Sequence, residues 1–211
     1  MRIWTDTFVT MLSLGVVLAY VWSVKGHFAS PKTPAGAWVI SVMVSASTLL
    51  LLWLTWSNDQ PAAATVAGLA IELASIWLFI AAVLASRESK LRFAFDPQHP
   101  HGLIQNGPYR FVRHPFYVSY LLFWAGWSVA TWSVMAIPVP PIFLVLYWLA
   151  ARMEERNFVA SSFSATYGEY RSRVGFFFPA DFLETLRSSP AAGQPRPPEQ
   201  VGRPRKLNST L

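Results

Sequence analysis

Long apolar runs, separated by short polar segments, make up most of the chain. Crossing a bilayer as a helix takes about 20 predominantly apolar residues. Four runs are long enough, and they cover residues 7–24, 35–57, 62–85 and 116–135. Prolines at positions 138, 140 and 141 break the pattern after the fourth run. This pattern predicts four membrane-spanning helices.

A fifth helix is predicted from Pro141, because proline is favourable at the first position of a helix. Its purely apolar part, residues 142–151, would rise about 15 Å at 1.5 Å per residue, which is too short to cross a bilayer. We therefore expect this helix to continue through the mostly charged residues 152–156, which would then lie near the membrane surface. The predicted fold is an all-α integral membrane protein with about five transmembrane helices.

A polar, basic segment at residues 86–115 separates the third and fourth apolar runs. Within it, Asn106-Gly107-Pro108 is a turn signal. His114 precedes a proline, which disfavours the helical conformation at residue 114, so we expect the fourth helix to begin at or after Pro115. The free N–H groups and partial positive charge of such a helix start suit a carboxylate or a phosphate.

The C-terminal part predicts an interfacial helix followed by a disordered tail. Tyr167, Tyr170 and the neighbouring arginines fit an amphipathic helix at the membrane boundary. Residues 188–211 are rich in proline and arginine and poor in apolar groups, which favours disorder. The chain is thus divided into three N-terminal helices (1–85), a region of loop, helical hairpin and interfacial helix (86–187), and the tail (188–211).

Lysine and arginine are concentrated in two segments. Five lie between the third and fourth runs, and five more lie between residues 152 and 187. Because positive charge favours the cytoplasmic side, we expect the N-terminus outside and the C-terminus in the cytosol. The loop at 86–115 and the end of the fifth helix would then share the cytosolic face.

Composition supports a membrane protein over a soluble one. Hydrophobic residues make up 53% of the chain and charged residues 13%, against about 45–50% and about 25% in soluble domains. The net charge of +6 comes from residues that flank apolar runs, which fits membrane topology better than nucleic-acid binding. The absence of cysteine excludes disulfides, thiolate metal sites and a cysteine nucleophile.

Glu72 lies in the middle of the third apolar run. A carboxyl group inside a membrane is costly and usually faces protein or water. The sequence leaves two interpretations open: Glu72 contacts a substrate, or it is protonated or hydrogen-bonded between helices.

Charged side chains on the cytosolic face could form a bipolar pocket. Glu154 and Glu155 at the end of the fifth helix would face Arg110, Arg113 and His114 across a short gap, and such a pocket suits a zwitterionic ligand. In the alternative interpretation, the arginines only anchor the loop to lipid headgroups, and Glu155 only pairs with a neighbouring arginine.

Motifs for several other chemistries are missing from the sequence. There is no HExxH pattern for zinc and no GxSxG for acyl transfer. There is also no GxGxxG after a strand, which argues against a Rossmann nucleotide domain. His99 and His101 fit solvated loop residues, so no metal site is predicted.

One ordered set of motifs resembles a known family. GPYRFVRHPFY is followed by a hydrophobic hairpin, then by EERNF, YGEYRSRV and a closing proline. In this order the motifs resemble the isoprenylcysteine carboxyl methyltransferase family, which belongs with the phospholipid N-methyltransferases among integral-membrane methyltransferases. The resemblance covers about residues 90–180, whereas the first three spans match only in being apolar.

The resemblance implies S-adenosylmethionine as cofactor, held by the central loop, the last two spans and the C-terminal helix. The positions that match cofactor-contacting residues of the family are His101, Gly102, Leu103, Ile104, Tyr109, His114, Pro115, Phe116, Tyr117 and Glu155. For Tyr109 and Tyr117, the alternative is an aromatic belt at the membrane interface.

The chain departs from the family at one substrate-binding position. The prenylcysteine enzymes carry an arginine one helical turn before the cofactor-binding glutamate, and this chain has Ala151 there. Arg152, about 100° around the helix, is the candidate replacement. Arg152 and His114 are the two candidate catalytic residues.

The favoured activity is methyl transfer to a lipidic or prenylated acceptor that enters from the bilayer. A carboxylate acceptor needs no base, because an α-carboxyl group has a pKa of about 3.5, whereas an amine or a thiol would need His114 as base. Membrane lipid is the other expected partner, and nucleic acid is not. The competing hypotheses are a phospholipid N-methyltransferase, a membrane reductase that uses NADPH and shares RHPxY, and a non-enzymatic membrane protein.

Overall fold

The computed structural model describes residues 2–27, 35–87 and 103–180. Within these ranges the chain is helical, and the α-helices are α1 (Arg2–His27), α2 (Ala35–Ser57), α3 (Ala62–Ser86), α4 (Pro115–Thr131), α5 (Val139–Val159) and α6 (Ser164–Arg173). Short 3-10 turns lie at Gly107–Arg110 and Val134–Ala136. The all-α prediction is confirmed. Residues 88–102 and the predicted disordered tail at 188–211 lie outside the described residues.

Helix boundaries follow the apolar pattern closely, with two corrections. The fourth helix begins at Pro115, as the sequence predicts, and α5 runs on through the charged residues 152–156. However, α4 ends at Thr131 and not at residue 135, because Trp132 adopts a left-handed backbone with φ of 47°. In addition, α5 begins at Val139, two residues before the predicted start.

Length and composition identify this chain as a multi-pass membrane protein. Within the described residues, four stretches are long and apolar enough to cross a membrane: Arg2–Ser23, Gly36–Ser57, Ala62–Ser86 and Val134–Val159. The 17 residues of α4 rise about 26 Å, slightly less than the roughly 30 Å hydrocarbon core. The count of five spans and the orientation of the termini stay predictions.

The helix α4 occupies the centre of the bundle and packs most extensively against α3. Their backbones touch where Gly68 meets Gly126, since a Cβ atom added at Gly68 would lie 2.5 Å from the Gly126 carbonyl oxygen. On its other side α4 packs against α5, with the rings of Trp124 and Phe143 stacked at 4.2 Å between centroids. This packing fixes the N-terminal end of α4 next to the C-terminal end of α5.

Glu72 on α3 is fully buried. The Ser13 hydroxyl on α1 donates to both of its carboxylate oxygens, at 3.0 and 3.2 Å. Of the two interpretations that the sequence leaves open, the structure therefore shows a hydrogen bond between helices. Glu72 does not line the cavity described below.

Candidate functional site

A cavity opens where the two ends of the helical hairpin meet the C-terminal helix. Its wall is formed by the segment before α4, the first turns of α4, the last turns of α5, and α6. The lining residues are Leu103, Ile104, Tyr109, Arg113, His114, Pro115, Phe116, Tyr117, Tyr120, Glu154, Phe158, Tyr167 and Tyr170. The wall is thus rich in aromatic rings and carries three ionisable groups other than tyrosine.

Most of the positions matched to the family's cofactor contacts gather at this cavity. The residues that line it are Leu103, Ile104, Tyr109, His114, Pro115, Phe116 and Tyr117. His101 and Gly102 lie outside the described residues. Glu155 and Arg152 are described but do not line the cavity.

His114 is buried and lies between two carboxylates. Its Nδ1 atom is 3.7 Å from Glu154 Oε2, and its Nε2 atom is 3.5 Å from Glu155 Oε1. Burial disfavours the charged imidazolium and by itself lowers the pKa of His114. The hydrogen bonds and negative charges of Glu154 and Glu155 outweigh this effect, so the pKa of His114 is raised above its ordinary value. The imidazolium form is therefore favoured at this site.

Glu155 is held in a buried ion pair with Arg113. The Arg113 Nε atom donates to Glu155 Oε1 at 2.7 Å, and both side chains are 10% exposed or less. Bonds of this kind between charged groups are among the strongest in proteins. Glu155 therefore joins the end of α5 to the residue that precedes His114.

Arg113 also holds the chain that follows α6. Its Nη1 atom donates to the carbonyl oxygens of Arg171, at 3.3 Å, and Val174. Its backbone N–H donates to the Gly175 carbonyl oxygen at 2.8 Å, and its guanidinium lies 5.4 Å from the centroid of the Phe176 ring. Arg113 is thus a junction between the start of α4, the end of α5 and the C-terminal segment.

Glu154, and not Glu155, is the glutamate on the cavity wall. Its side chain is 30% exposed, against 5% for Glu155. Adjacent helical residues point about 100° apart, so only one of the two faces the cavity while the other meets Arg113. The contact between Glu155 and the cofactor, expected from the resemblance, stays a prediction.

The structure does not bring Arg152 or Arg110 to the cavity. Arg152 is exposed, and its guanidinium lies 5.5 Å from the centroid of the Trp148 ring. Ala151, at the family's arginine position, is fully buried. Arg110 is exposed as well. The role of Arg152 in substrate binding stays a prediction, and Arg113 is the arginine of the predicted bipolar pocket that does line the cavity.

Four further aromatic residues line the cavity, and the sequence analysis did not assign them to the site. They are Tyr120, Phe158, Tyr167 and Tyr170. Tyr167 and Tyr170, which lie on the predicted interfacial helix, are both buried, and the Tyr170 hydroxyl donates to the Tyr109 carbonyl oxygen at 2.7 Å. Phe158 stacks on Tyr167 with 5.0 Å between ring centroids. The spacing of three between Tyr167 and Tyr170 does signal one helix face, but it does not say what that face covers.

Comparison with known proteins gives the family. Residues 63–166 match the family model described as phospholipid methyltransferase. Protein-S-isoprenylcysteine O-methyltransferase A of Arabidopsis thaliana is 33% identical over 98 residues, which are 44% of this chain and 48% of that protein. Over the matched residues, about half of its length, the chain resembles the isoprenylcysteine methyltransferase-like family. The resemblance found in the sequence is thereby confirmed.

Two further proteins are similar to this chain. Protein-S-isoprenylcysteine O-methyltransferase of Saccharomyces cerevisiae is 33% identical over 84 residues, covering 37% of this chain and 33% of the yeast protein. Cobalt-zinc-cadmium resistance protein CzcN of Cupriavidus metallidurans is 29% identical over 147 residues, covering 68% of this chain and 62% of that protein. In all three relatives, the part that this chain matches is less than two thirds of the relative's length.

Proposed function

We propose that this protein is an S-adenosylmethionine-dependent methyltransferase that acts on a lipidic or prenylated acceptor, with a carboxylate as the favoured methyl acceptor. The observation that carries this proposal is the cavity wall itself. There Glu154 and the imidazolium-favouring His114 lie beside each other within a ring of aromatic side chains. The similarity to the isoprenylcysteine methyltransferase-like family supports the same conclusion.

The groups on the wall fit the charges of the cofactor. A carboxylate such as Glu154 suits an ammonium group or ribose hydroxyls, and His114 at the start of α4 suits a carboxylate. Aromatic faces attract cations such as a sulfonium. We propose that the cofactor is held by His101, Gly102, Leu103, Ile104, Tyr109, His114, Pro115, Phe116, Tyr117, Glu154 and Glu155. Glu154 faces the ligand from the cavity wall. Glu155 contributes by holding Arg113 and His114 in place.

The chemistry supplied by the bound cofactor is an electrophilic methyl group. The contribution of the protein is to align the acceptor with that group and to exclude water. Although burial disfavours the charged form, the hydrogen bonds and charges of Glu154 and Glu155 raise the pKa of His114, so less of it is in the neutral form that can accept a proton. A carboxylate is ionised without a base, and an amine is not, so His114 favours the carboxylate.

Topology completes the proposal. With the N-terminus outside and the C-terminus in the cytosol, the cavity faces the cytosol, from which a soluble cofactor enters. The acceptor would enter sideways from the bilayer, between the spans.

The alternative acceptor is the amine headgroup of a phospholipid, which the description of the matching family model favours.

The acceptor can be identified with methyl-radiolabelled S-adenosylmethionine. Membranes that contain the protein would be incubated with total membrane lipids or with a peptide that ends in prenylcysteine. Alkali releases label from a methyl ester but not from an N-methyl group. We expect alkali-labile label on the prenylated peptide. Alkali-stable label on lipid would establish the phospholipid alternative, and no transfer to any acceptor would contradict the proposal.

A further inference from the structure

The hydroxyl group of Tyr120 has no hydrogen-bond partner within the described part of the chain, although it is buried. The side chain lines the cavity and belongs to a residue that is only 9% exposed. Buried hydroxyl groups in proteins nearly always have a partner, and leaving one unpaired costs free energy. The position of Tyr120 on the wall indicates that a ligand is the missing partner.

The hydroxyl groups of the two tyrosines with the nearest rings, Tyr20 and Tyr147, do not share this property. The Tyr147 ring lies 5.5 Å from that of Tyr120, but its hydroxyl accepts a hydrogen bond from Trp124 Nε1 at 3.2 Å. The Tyr20 ring lies 4.5 Å away on the other side, and its hydroxyl pairs with the Ser75 hydroxyl at 2.6 Å. The two nearest tyrosine hydroxyls therefore have partners, whereas that of Tyr120 has none. On the cavity wall the Tyr167 hydroxyl also lacks a partner among the described residues, but it lies on the α6 side, where its ring stacks on Phe158.

Tyr120 also lies at the membrane side of the cavity. It is five residues into α4, or about 7.5 Å along the helix from Pro115 at 1.5 Å per residue. Glu154 and His114 lie at the opposite, charged side, near the end of α5 and the start of α4. A lipidic acceptor that arrives from the bilayer would reach the level of Tyr120, whereas the charged groups of the cofactor fit the other side.

We propose that Tyr120 binds the acceptor, by donating a hydrogen bond to the carboxylate oxygen that does not attack the methyl group. This inference rests on the proposed methyltransferase function. The hydrogen bond would orient the second oxygen toward the methyl group and would fix the depth to which the prenyl chain enters. Among the residues that the structure describes, the hydroxyl makes no hydrogen bond that supports the fold, which fits a role in substrate positioning.

The test compares Tyr120→Phe with Tyr147→Phe, two changes that each remove one hydroxyl from neighbouring rings. For Tyr120→Phe we expect kcat/KM for the prenylated acceptor to fall about ten- to a hundredfold, the range for a hydrogen bond to a charged group. The affinity for S-adenosylmethionine should stay within about twofold, and the melting temperature should stay equal or rise, because an unpaired buried hydroxyl is removed. Tyr147→Phe should instead lower the melting temperature, since it leaves Trp124 without an acceptor, and should keep kcat/KM.

The outcomes separate this inference from the function on which it rests. Unchanged kcat/KM in Tyr120→Phe, with an active wild type, would overturn the inference alone. An equal loss of S-adenosylmethionine affinity would also overturn it, since Tyr120 would then belong to the cofactor side. A fall in melting temperature equal to that of Tyr147→Phe would show a structural role. No transfer by the wild type would overturn the proposed function itself.

Discussion

Replacing Arg113 with glutamine should destabilise the protein by about 3 kcal/mol, the lower end of the range for breaking one side of a buried ion pair. The carboxylate of Glu155 would stay buried with its strongest partner removed. The side-chain bonds from Arg113 to the Arg171 and Val174 carbonyl oxygens would be lost as well. We use the lower end because the cavity beside Arg113 gives water some access. The measurement is thermal or denaturant unfolding in detergent.

Arg110→Gln is the matched control for this change. Arg110 is exposed and lies three residues earlier in the same segment, so its replacement should change stability by less than about 0.5 kcal/mol. The double variant Arg113→Gln, Glu155→Gln should lose less stability than the two single variants lose in sum, because the second change removes the buried charge that the first leaves unpaired. If Arg113→Gln and Arg110→Gln lowered stability equally, Arg113 would not be a junction between the three segments.

Glu154→Gln and Glu155→Gln should have different effects, although the two residues are adjacent. At Glu154, on the cavity wall, we expect affinity for S-adenosylmethionine to fall about ten- to a hundredfold, as for a lost hydrogen bond to a charged group. Stability should change little, because this side chain is 30% exposed. At Glu155, the main expected loss is stability, because its carboxylate pairs with Arg113. Calorimetric titration and unfolding of both variants measure these quantities.

The opposite result has a definite meaning. The sequence resemblance assigns the cofactor contact to Glu155, and on that assignment Glu155→Gln would lose the affinity while Glu154→Gln kept it. If the Glu155→Gln protein were stable but bound S-adenosylmethionine a hundredfold more weakly, the result would support the resemblance. It would contradict the assignment of the cofactor contact to Glu154, the glutamate on the cavity wall. Equal affinity losses with equal stability would mean that both carboxylates reach the ligand.

Local chemistry explains why much of the fold could be predicted. The proline at 115 fixes the start of α4, since it restricts His114 and suits a first helical position. The shortness of the apolar run at 142–151 required α5 to continue into charged residues, which it does. The end of α4 was harder to predict, because an apolar sequence continues past Thr131 and only the backbone of Trp132 stops the helix.

The site was less predictable because it depends on which face of each helix meets its neighbours. An error of one residue in helix rotation, about 100°, exchanges Glu154 for Glu155 on the cavity wall. The same rotation leaves Arg152 exposed beside Trp148, while Ala151, at the family's arginine position, is buried. The resemblance implies that the C-terminal helix helps to hold the cofactor, but the hydrogen bond from the Tyr170 hydroxyl to the Tyr109 carbonyl oxygen had no signal in the sequence. These features are set by contacts between distant segments.

Calorimetric titration of the detergent-solubilised wild type tests most directly whether this cavity binds S-adenosylmethionine. S-adenosylmethionine and NADPH would be titrated separately into the same preparation. We expect saturable binding of S-adenosylmethionine at one site per chain and no binding of NADPH. Binding of NADPH without binding of S-adenosylmethionine would contradict this expectation and would identify a membrane reductase.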